Sequence, residues 1–278
     1  MMKSVTLPSG EKVPALGMGT WNMGDSRPAR AEEIEALRLG LDLGLRLIDT
    51  AEMYGEGKSE EMVGEAIAAR RDEVFLVSKV YPHNASRKGV AAACERSLKR
   101  LRTDRLDLYL LHWRGSVPFA ETIDAFESLR KAGKIRHFGV SNLALDDMQE
   151  WLSTAGAAAV ATNQLLYNLT RRGIEWDLLP WMREHRIPVM AYSPIEQARL
   201  VRNAKLTDFA KRHGMTPAQA ALAWLLAKDN VIAIPKTGHR ERVRENSDAL
   251  EHKLSTEHLA ELDRLFPPPN KPVPLEML

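Results

Sequence analysis

Short apolar runs recur along the chain, each followed by a segment whose apolar residues fall at helical spacing. This alternation constrains the fold more than any single motif. The runs are Ala15–Trp21, Leu45–Asp49, Val74–Lys79, Leu106–His112, Ile135–Val140, Ala157–Gln164, Ile187–Ser193 and Val231–Pro235. They read as buried strands, and their starts recur every ~25–30 residues up to the seventh, the spacing of β-α-β units in a parallel sheet. The interval from the seventh to the eighth is longer and leaves room for a loop and two helical stretches around Pro217. Eight such units within 278 residues predict an α/β protein, a single (β/α)8 TIM barrel rather than an open doubly wound sheet.

The segments between the strands fit that reading. Ile34, Leu37, Leu41 and Leu45 mark a helix over about 28–44, and Ser59 reads as the N-cap of a helix carrying Met62, Val63, Ala66 and Ile67. Val90, Cys94, Leu98 and Leu101 mark the next helix, Phe119, Ile123 and Phe126 another, and a short one falls near 145–152. Leu259, Leu262 and Leu265 place a last helix over 256–266. One domain is expected over 1–278. It would carry an N-terminal β-hairpin within 1–14, around Pro8-Ser9-Gly10, and an extended tail over 267–278, where Pro267-Pro268-Pro269 forbids a helix. Gly17 and Gly19 would need a third glycine at Asn22 to make a dinucleotide fingerprint, so a Rossmann fold is poorly supported.

Composition removes several classes of function. Lys and Arg number 39 against 37 Asp and Glu, a net charge of +2, which argues for neither nucleic acid nor an acidic membrane surface as partner. The single cysteine, Cys94, permits no internal disulfide and suits a reducing compartment. No apolar run approaches the ~18 residues of a membrane span, and no N-terminal signal pattern is seen, so a cytoplasmic protein is expected. No His-x-His closes the early strands and Cys94 has no partner, so no metal site is expected.

Three successive strands end in a titratable group: Asp49, Lys79 and His112. In a barrel these ends share one rim, and Tyr54, five residues beyond Asp49, can reach the same centre. Singly, Asp49 reads as a cap or loop hydrogen-bonder, Lys79 as a surface residue and His112 as a structural histidine; together they point to chemistry. A phenol is a poor proton donor at its ordinary pKa of about 10, and an adjacent ammonium is expected to lower that value toward the range useful for acid–base work. Asp49 would keep Lys79 charged, and His112 would hydrogen-bond the same substrate oxygen. Such a set protonates a carbonyl oxygen, and a reductase built on it would need a hydride-bearing cofactor.

These residues carry a resemblance. The order Gly19-Thr20-Trp21, Asp49-Thr50-Ala51-Glu52-Met53-Tyr54, Lys79, His112-Trp113, Gly139-Val140-Ser141-Asn142, Asn163-Gln164, Ala191-Tyr192-Ser193-Pro194 and Ile234-Pro235-Lys236 is similar to the aldo-keto reductase family, and closest in texture to its bacterial methylglyoxal-reductase kind. The resemblance implies a barrel that binds NADPH without a Rossmann domain and reduces small aldehydes and ketones. It implies Tyr54 as general acid, with Asp49, Lys79 and His112 in support. It further implies that Thr20, Trp21 and Asp49 lie at the cofactor. Ser141, Asn142 and Gln164 would bind the nicotinamide amide, Tyr192 would stack on the ring, and Ser193 and Pro194 would continue along the cofactor. Lys236, Thr237 and Arg242 would hold a 2′-phosphate, for which an ammonium, a hydroxyl and a guanidinium are suited, and Asn246 would reach the adenine.

Trp21, Tyr81, His112 and Trp113 are expected to wall the substrate site. Two departures from the family bear on the cofactor site: the segment Ile195–Leu200 is short for a closing loop, and Thr237-Gly238 loosens the adenosine end. The expected partner is a small carbonyl compound, and the expected state is a monomer. Two other readings were weighed, a non-catalytic NADPH-binding regulator and a Schiff-base lyase with Lys79 as nucleophile. Asp49 disfavours the second because it holds the amine protonated.

Overall fold

Eight parallel strands hydrogen-bond to one another in sequence order, and the first returns to the last. In the computed structural model, which describes residues 3–278, an antiparallel hairpin, β1 (Ser4–Thr6) and β2 (Lys12–Pro14), precedes them. The first two residues of the expected 1–14 hairpin segment lie outside the described residues. The barrel strands are β3 (Met18–Gly19), β4 (Leu47–Asp49), β5 (Phe75–Val80), β6 (Leu106–Leu111), β7 (Ile135–Ser141), β8 (Val160–Leu166), β9 (Val189–Tyr192) and β10 (Val231–Ala233). Closure is made by the Gly17 amide on the Ala233 carbonyl at 2.9 Å, Gly19 on Pro235 at 3.0 Å and Ala233 on Ala15 at 2.8 Å. The fold is the expected (β/α)8 barrel.

Every residue of β5 and β6 is buried. A parallel strand sandwiched between barrel interior and outer helices has no wet face, which is why these segments read as continuous apolar runs rather than alternating ones. The outer ring includes α1 (Arg27–Asp42), α2 (Lys58–Ile67), α3 (Arg87–Leu101), α4 (Phe119–Lys131), α5 (Leu145–Ser153) and α6 (Leu178–Glu184). The long interval before β10 holds α7 (Ala204–Arg212) and α8 (Pro217–Ala227), the latter opened by a capping box between Thr216 and Gln219. Helices α9 (Arg240–Asp248) and α10 (Thr256–Leu265) complete the ring.

Several local expectations shift. The first strand is regular only at Met18–Gly19, because the chain there approaches its neighbours too closely for side chains. A Cβ on Gly17 would lie 2.6 Å from Leu47 Cδ2, and one on Gly19 would lie 3.0 Å from the Ile234 carbonyl oxygen. Residues 157–159 form a 3-10 turn, so β8 starts at Val160. Ser59 does not cap α2. The cap position is Gly57, at φ 94°, and the Ser59 hydroxyl donates instead to the Thr20 carbonyl at 3.0 Å, stitching α2 to the rim beyond β3.

The end of the barrel opposite the rim is held by charge. Asp107, buried near the start of β6, accepts from Arg71 at 2.9 Å, the Leu76 amide at 2.9 Å and Arg136 at 2.8 Å; Arg136 also donates to Glu11 beside the hairpin at 2.8 Å. We expect Asp107→Ala to leave the buried Leu76 amide without an acceptor and to remove the carboxylate shared by Arg71 and Arg136, and to cost about 3–5 kcal/mol, read as the midpoint of chemical denaturation. A loss below 1 kcal/mol would contradict this account.

Candidate active site

Strand register brings the titratable strand ends together. Gly19 pairs with Asp49, Asp49 with Val77 and Lys79 with Leu110, while the His112 amide donates to the Val80 carbonyl at 3.0 Å. Lys79 is completely buried. Its ammonium has three N–H donors and meets three acceptors: Asp49 Oδ2 at 2.8 Å, the Thr50 carbonyl at 2.8 Å and the Tyr54 hydroxyl at 3.0 Å. The second oxygen of Asp49 accepts from Gln164 Nε2 at 2.7 Å, reaching across the barrel from β8. Asp49 is thereby fixed at both oxygens.

Tyr54 opens a tight turn, Tyr54–Gly57, in which Gly55, Glu56 and Gly57 all have positive φ. Two glycines supply that geometry at little steric cost, and the turn folds the phenol back over Lys79, whose Nζ lies 4.6 Å from the ring centre. Because the Tyr54 oxygen accepts from Lys79, its own proton remains available to donate. The His112 ring lies 5.9 Å from the Tyr54 ring, edge to face, and 4.8 Å from the ring of Trp113.

The electrostatics correct one expectation. Tyr54 does not have a lowered pKa: burial raises it, and although Lys79 pulls it down, burial and the Asp49 charge prevail. For Lys79, burial opposes the ammonium, but Asp49 and Tyr54 outweigh that and raise its pKa above the ordinary lysine value. His112 is held well below the ordinary imidazole value by burial and then by the nearby ammonium, so it is neutral, and its Nδ1 is buried without a protein partner. The site therefore presents a protonated phenol and a neutral imidazole beside a fixed cation.

These groups open on a cavity of about 670 Å³. Thr20, Trp21, Asp49, His112, Trp113, Ser141, Asn142, Gln164, Tyr192, Ser193, Pro194, Lys236, Thr237, Arg242 and Asn246 all line it. A chain of side-chain hydrogen bonds fixes part of that wall. Tyr192 Oη donates to Asn142 Oδ1 at 3.0 Å, Asn142 Nδ2 donates to the His112 carbonyl at 3.2 Å, and Ser141 Oγ donates to the Gln164 carbonyl at 2.9 Å. Thr20 Oγ1 donates to the Asp49 carbonyl at 2.9 Å, bracing the rim.

Tyr81 is not part of the cavity wall. Its ring stacks on His83 and meets Trp113, a wall residue, edge to face at 5.9 Å. At Gly238 the chain passes close to Glu33, whose Cγ would lie 2.8 Å from an added Cβ. Lys236 has a lowered pKa, from burial first and with the Arg242 charge adding to it, a setting that an arriving anion would relieve. Thr237 Oγ1 accepts from the His239 amide at 3.1 Å and keeps its own proton.

Sequence reasoning missed Met53, Ile195, Gln197, Ala198, Val201, Arg202, Pro217, Ala218, Glu245, Met277 and Leu278, which also line the cavity. Met53 lies inside the Asp49–Tyr54 motif and Pro217, Ala218 and Glu245 on α8 and α9; the others come from the loop after β9 and from the tail, which no motif marks. The 267–278 tail has no regular structure, as expected, but it does more than lie over the surface. Val273 packs on Gly173 and Leu275 packs on the core, while Met277 and Leu278 reach the cavity. Among the described residues, Trp21, Met277 and Leu278 are three of only four large hydrophobic side chains left exposed, all at this mouth. No group of three or more His, Cys, Asp or Glu among the described residues could hold a metal ion.

A barrel with a buried Lys-Asp pair and a tyrosine at the rim of one long cavity agrees with what the chain matches. The Aldo/keto reductase family profile matches residues 15–266, and the chain belongs to that family. It is 49% identical to the methylglyoxal reductase YeaE of Escherichia coli over 99% of both proteins. Against the glyoxal reductase of Bacillus subtilis the identity is 35%, over 94% of this chain and 92% of that one. Among solved structures, an aldo/keto reductase from Klebsiella pneumoniae in complex with NADP and acetate superposes with a TM-score of 0.97 at 50% identity, over 100% of each chain.

We expect an NMR titration of His112 to show the ring still uncharged at the ordinary imidazole midpoint of about 6.5. Protonation at or above that pH would contradict the geometry.

Proposed function

We propose that this enzyme reduces small aldehydes and ketones with NADPH, 2-oxoaldehydes such as methylglyoxal among them, and that Tyr54 is the general acid. The observation that carries the reading is the Tyr54 hydroxyl. It accepts from Lys79 and keeps its proton for a ligand in the cavity, beside a neutral His112.

The residues fit the cofactor. The cavity of about 670 Å³ is in the size range of a cofactor site, and Lys236 and Arg242, which line it, face no carboxylate within ion-pair distance among the described residues. Ser141, Asn142 and Gln164 would hold the nicotinamide amide and Tyr192 would pack on its ring. Ser193 and Pro194 would follow the chain of the cofactor, Lys236, Thr237 and Arg242 would take a 2′-phosphate, and Asn246 would take the adenine. When bound, NADPH supplies the hydride.

The chain's own residues do the rest. The neutral His112 donates a hydrogen bond that orients the carbonyl oxygen against Tyr54. As negative charge grows on that oxygen, Tyr54 releases its proton to it, and the Lys79 ammonium, 3.0 Å from the phenol oxygen, stabilises the phenolate left behind. A raised Tyr54 pKa keeps the acid protonated through the neutral range; the proton is lost only as the pH rises through that raised value, so reduction would fall at strongly alkaline pH.

Trp21, Met53, Trp113, Met277 and Leu278 give the cavity an apolar lining, and the Lys79 ammonium is already saturated by its three acceptors. That suits a neutral, partly apolar carbonyl compound better than a carboxylate, and two relatives bear the names methylglyoxal reductase and glyoxal reductase. A Schiff-base role for Lys79 is disfavoured because all three of its protons are held and its pKa is raised. A non-catalytic regulator would leave the Tyr54 proton without purpose. No helix is long and apolar enough to cross a membrane. The single buried Cys94 suits a reducing compartment such as the cytoplasm, and the proposed state is a monomer.

The reading is tested by following NADPH oxidation with methylglyoxal. Tyr54→Phe should lower kcat by about 10²–10⁴-fold while NADPH still binds; unchanged turnover would remove Tyr54 as the acid. Arg242→Ala should weaken NADPH by about tenfold or more, the scale of one charge-assisted contact of about 1.5–3 kcal/mol, and leave NADH nearly unaffected. Equal losses for both cofactors would refute the phosphate role.

A further inference from the structure

The loop that follows β9 is unusual along the cavity wall. Ser193, Glu196, Gln197 and Ala198 all have positive φ, between 47° and 68°, and none is glycine. Residues without that freedom stay in this region only when their surroundings hold them there. The holding contacts all converge on one buried carboxylate, Glu196. It accepts from Asn168 Nδ2 at 2.7 Å and from Arg171 at 2.9 Å, with Arg199 at 3.5 Å; Asn168 also donates to the Ser193 carbonyl at 2.9 Å. Asn168 and Arg171 belong to the turn after β8, and the Asn168 side-chain oxygen accepts from the Thr170 and Arg171 amides, so the clamp is itself braced.

Arg171 has a second partner. Its other guanidinium nitrogen pairs with Glu276 in the tail. On one side of Arg171, then, lies the carboxylate that shapes the cofactor wall, including Gln197 and Ala198. On the other lies the residue just before Met277 and Leu278, which reach the mouth of the cavity over the carbonyl site. A separate cavity of about 200 Å³ lies beneath the tail, lined by Arg171, Gly173, Val273 and Glu276 among others, and leaves the tail room to shift. Glu276 itself does not line the main cavity.

We propose that Arg171 is a positioning residue that couples the cofactor wall to the tail: an ordered Glu196 loop holds Arg171 where it retains Glu276, and so sets Met277 and Leu278 over the substrate. Coupling of this kind is reciprocal, so releasing the tail must weaken the cofactor. The proposal rests on the cavity being the NADPH site.

The test measures the NADPH Kd, the methylglyoxal KM and kcat for the wild type, Glu276→Gln, Arg171→Ala and the double variant. Glu276→Gln should raise the methylglyoxal KM and also raise the NADPH Kd about 5–10-fold, a typical coupling, with kcat changed least. That direction is diagnostic, because simply removing a negative charge near an anionic cofactor would tighten binding. In the Arg171→Ala background, Glu276→Gln should have no further effect on NADPH. Hydrogen exchange of residues 272–278 should slow when NADPH binds the wild type but not Glu276→Gln. If Arg171→Ala does not fold, Arg171→Lys replaces it, since an ammonium lacks the planar fork that grips Glu196 along one edge while a further nitrogen reaches Glu276. An NADPH Kd unmoved by Glu276→Gln, effects that add independently, or exchange in the tail indifferent to NADPH would overturn the coupling while leaving the reductase reading intact. Absence of NADPH binding to the wild type would overturn both.

Discussion

The rim depends on one ion pair sealed away from water. An ammonium as deeply buried as that of Lys79 would lose its charge if left alone; Asp49 at 2.8 Å, together with the Thr50 carbonyl and the Tyr54 hydroxyl, keeps it charged. Since every N–H of the ammonium has one acceptor, the arrangement has little slack. It ties β4 to β5, and through Gln164 it ties both to β8 on the far side of the barrel. The direction of the Tyr54 proton follows from this, because the phenol oxygen that accepts from Lys79 can only donate outward.

The two ends of the barrel divide the work. At the rim, Ser193 and the run Glu196–Ala198 have positive φ without being glycine, held by Asn168 and the Glu196 carboxylate, and Asn142, also at positive φ, is held by Tyr192 and the His112 carbonyl. At the opposite end the polar groups are satisfied in an extended network in which Asp107, Arg71, Arg136 and Glu11 join the hairpin to β6 and β7. Non-glycine residues at positive φ occur at both ends, Arg102, Arg186 and Asn230 in the turns that lead into β6, β9 and β10, but the consecutive run Glu196–Ala198 lies at the cavity, which Gln197 and Ala198 line.

Much of this was legible in the chain. The eight runs could be read because parallel strands with two dry faces leave unbroken apolar stretches, and Asp49, Lys79 and His112 stood out as charges that interrupt or end such stretches. Ser59 misled because a serine before a helical pattern looks like a cap, whereas Gly57 takes that place and the hydroxyl turns to Thr20. Tyr81 follows a strand end as Trp113 does, yet its ring packs between His83 and the edge of Trp113 and does not line the cavity. Gln197, Arg202, Met277 and Leu278 carried no signal, because a loop and a tail bring them to the cavity without periodicity or motif.

By itself the sequence determined the alternating architecture, its closure into a barrel and which groups stand at one rim. These follow from local spacing, since periodicity is decided by residues a few positions apart. Only the tertiary structure decided how strongly those groups hold their protons and which segments complete the cavity. A neighbouring ammonium alone implies a more acidic phenol, but burial and the Asp49 charge, set by everything packed around Tyr54, reverse the sign. The tail reaches the cavity for the same kind of reason: Gly173 leaves room for Val273 and Arg171 reaches Glu276, contacts between residues about a hundred positions apart that no local pattern encodes.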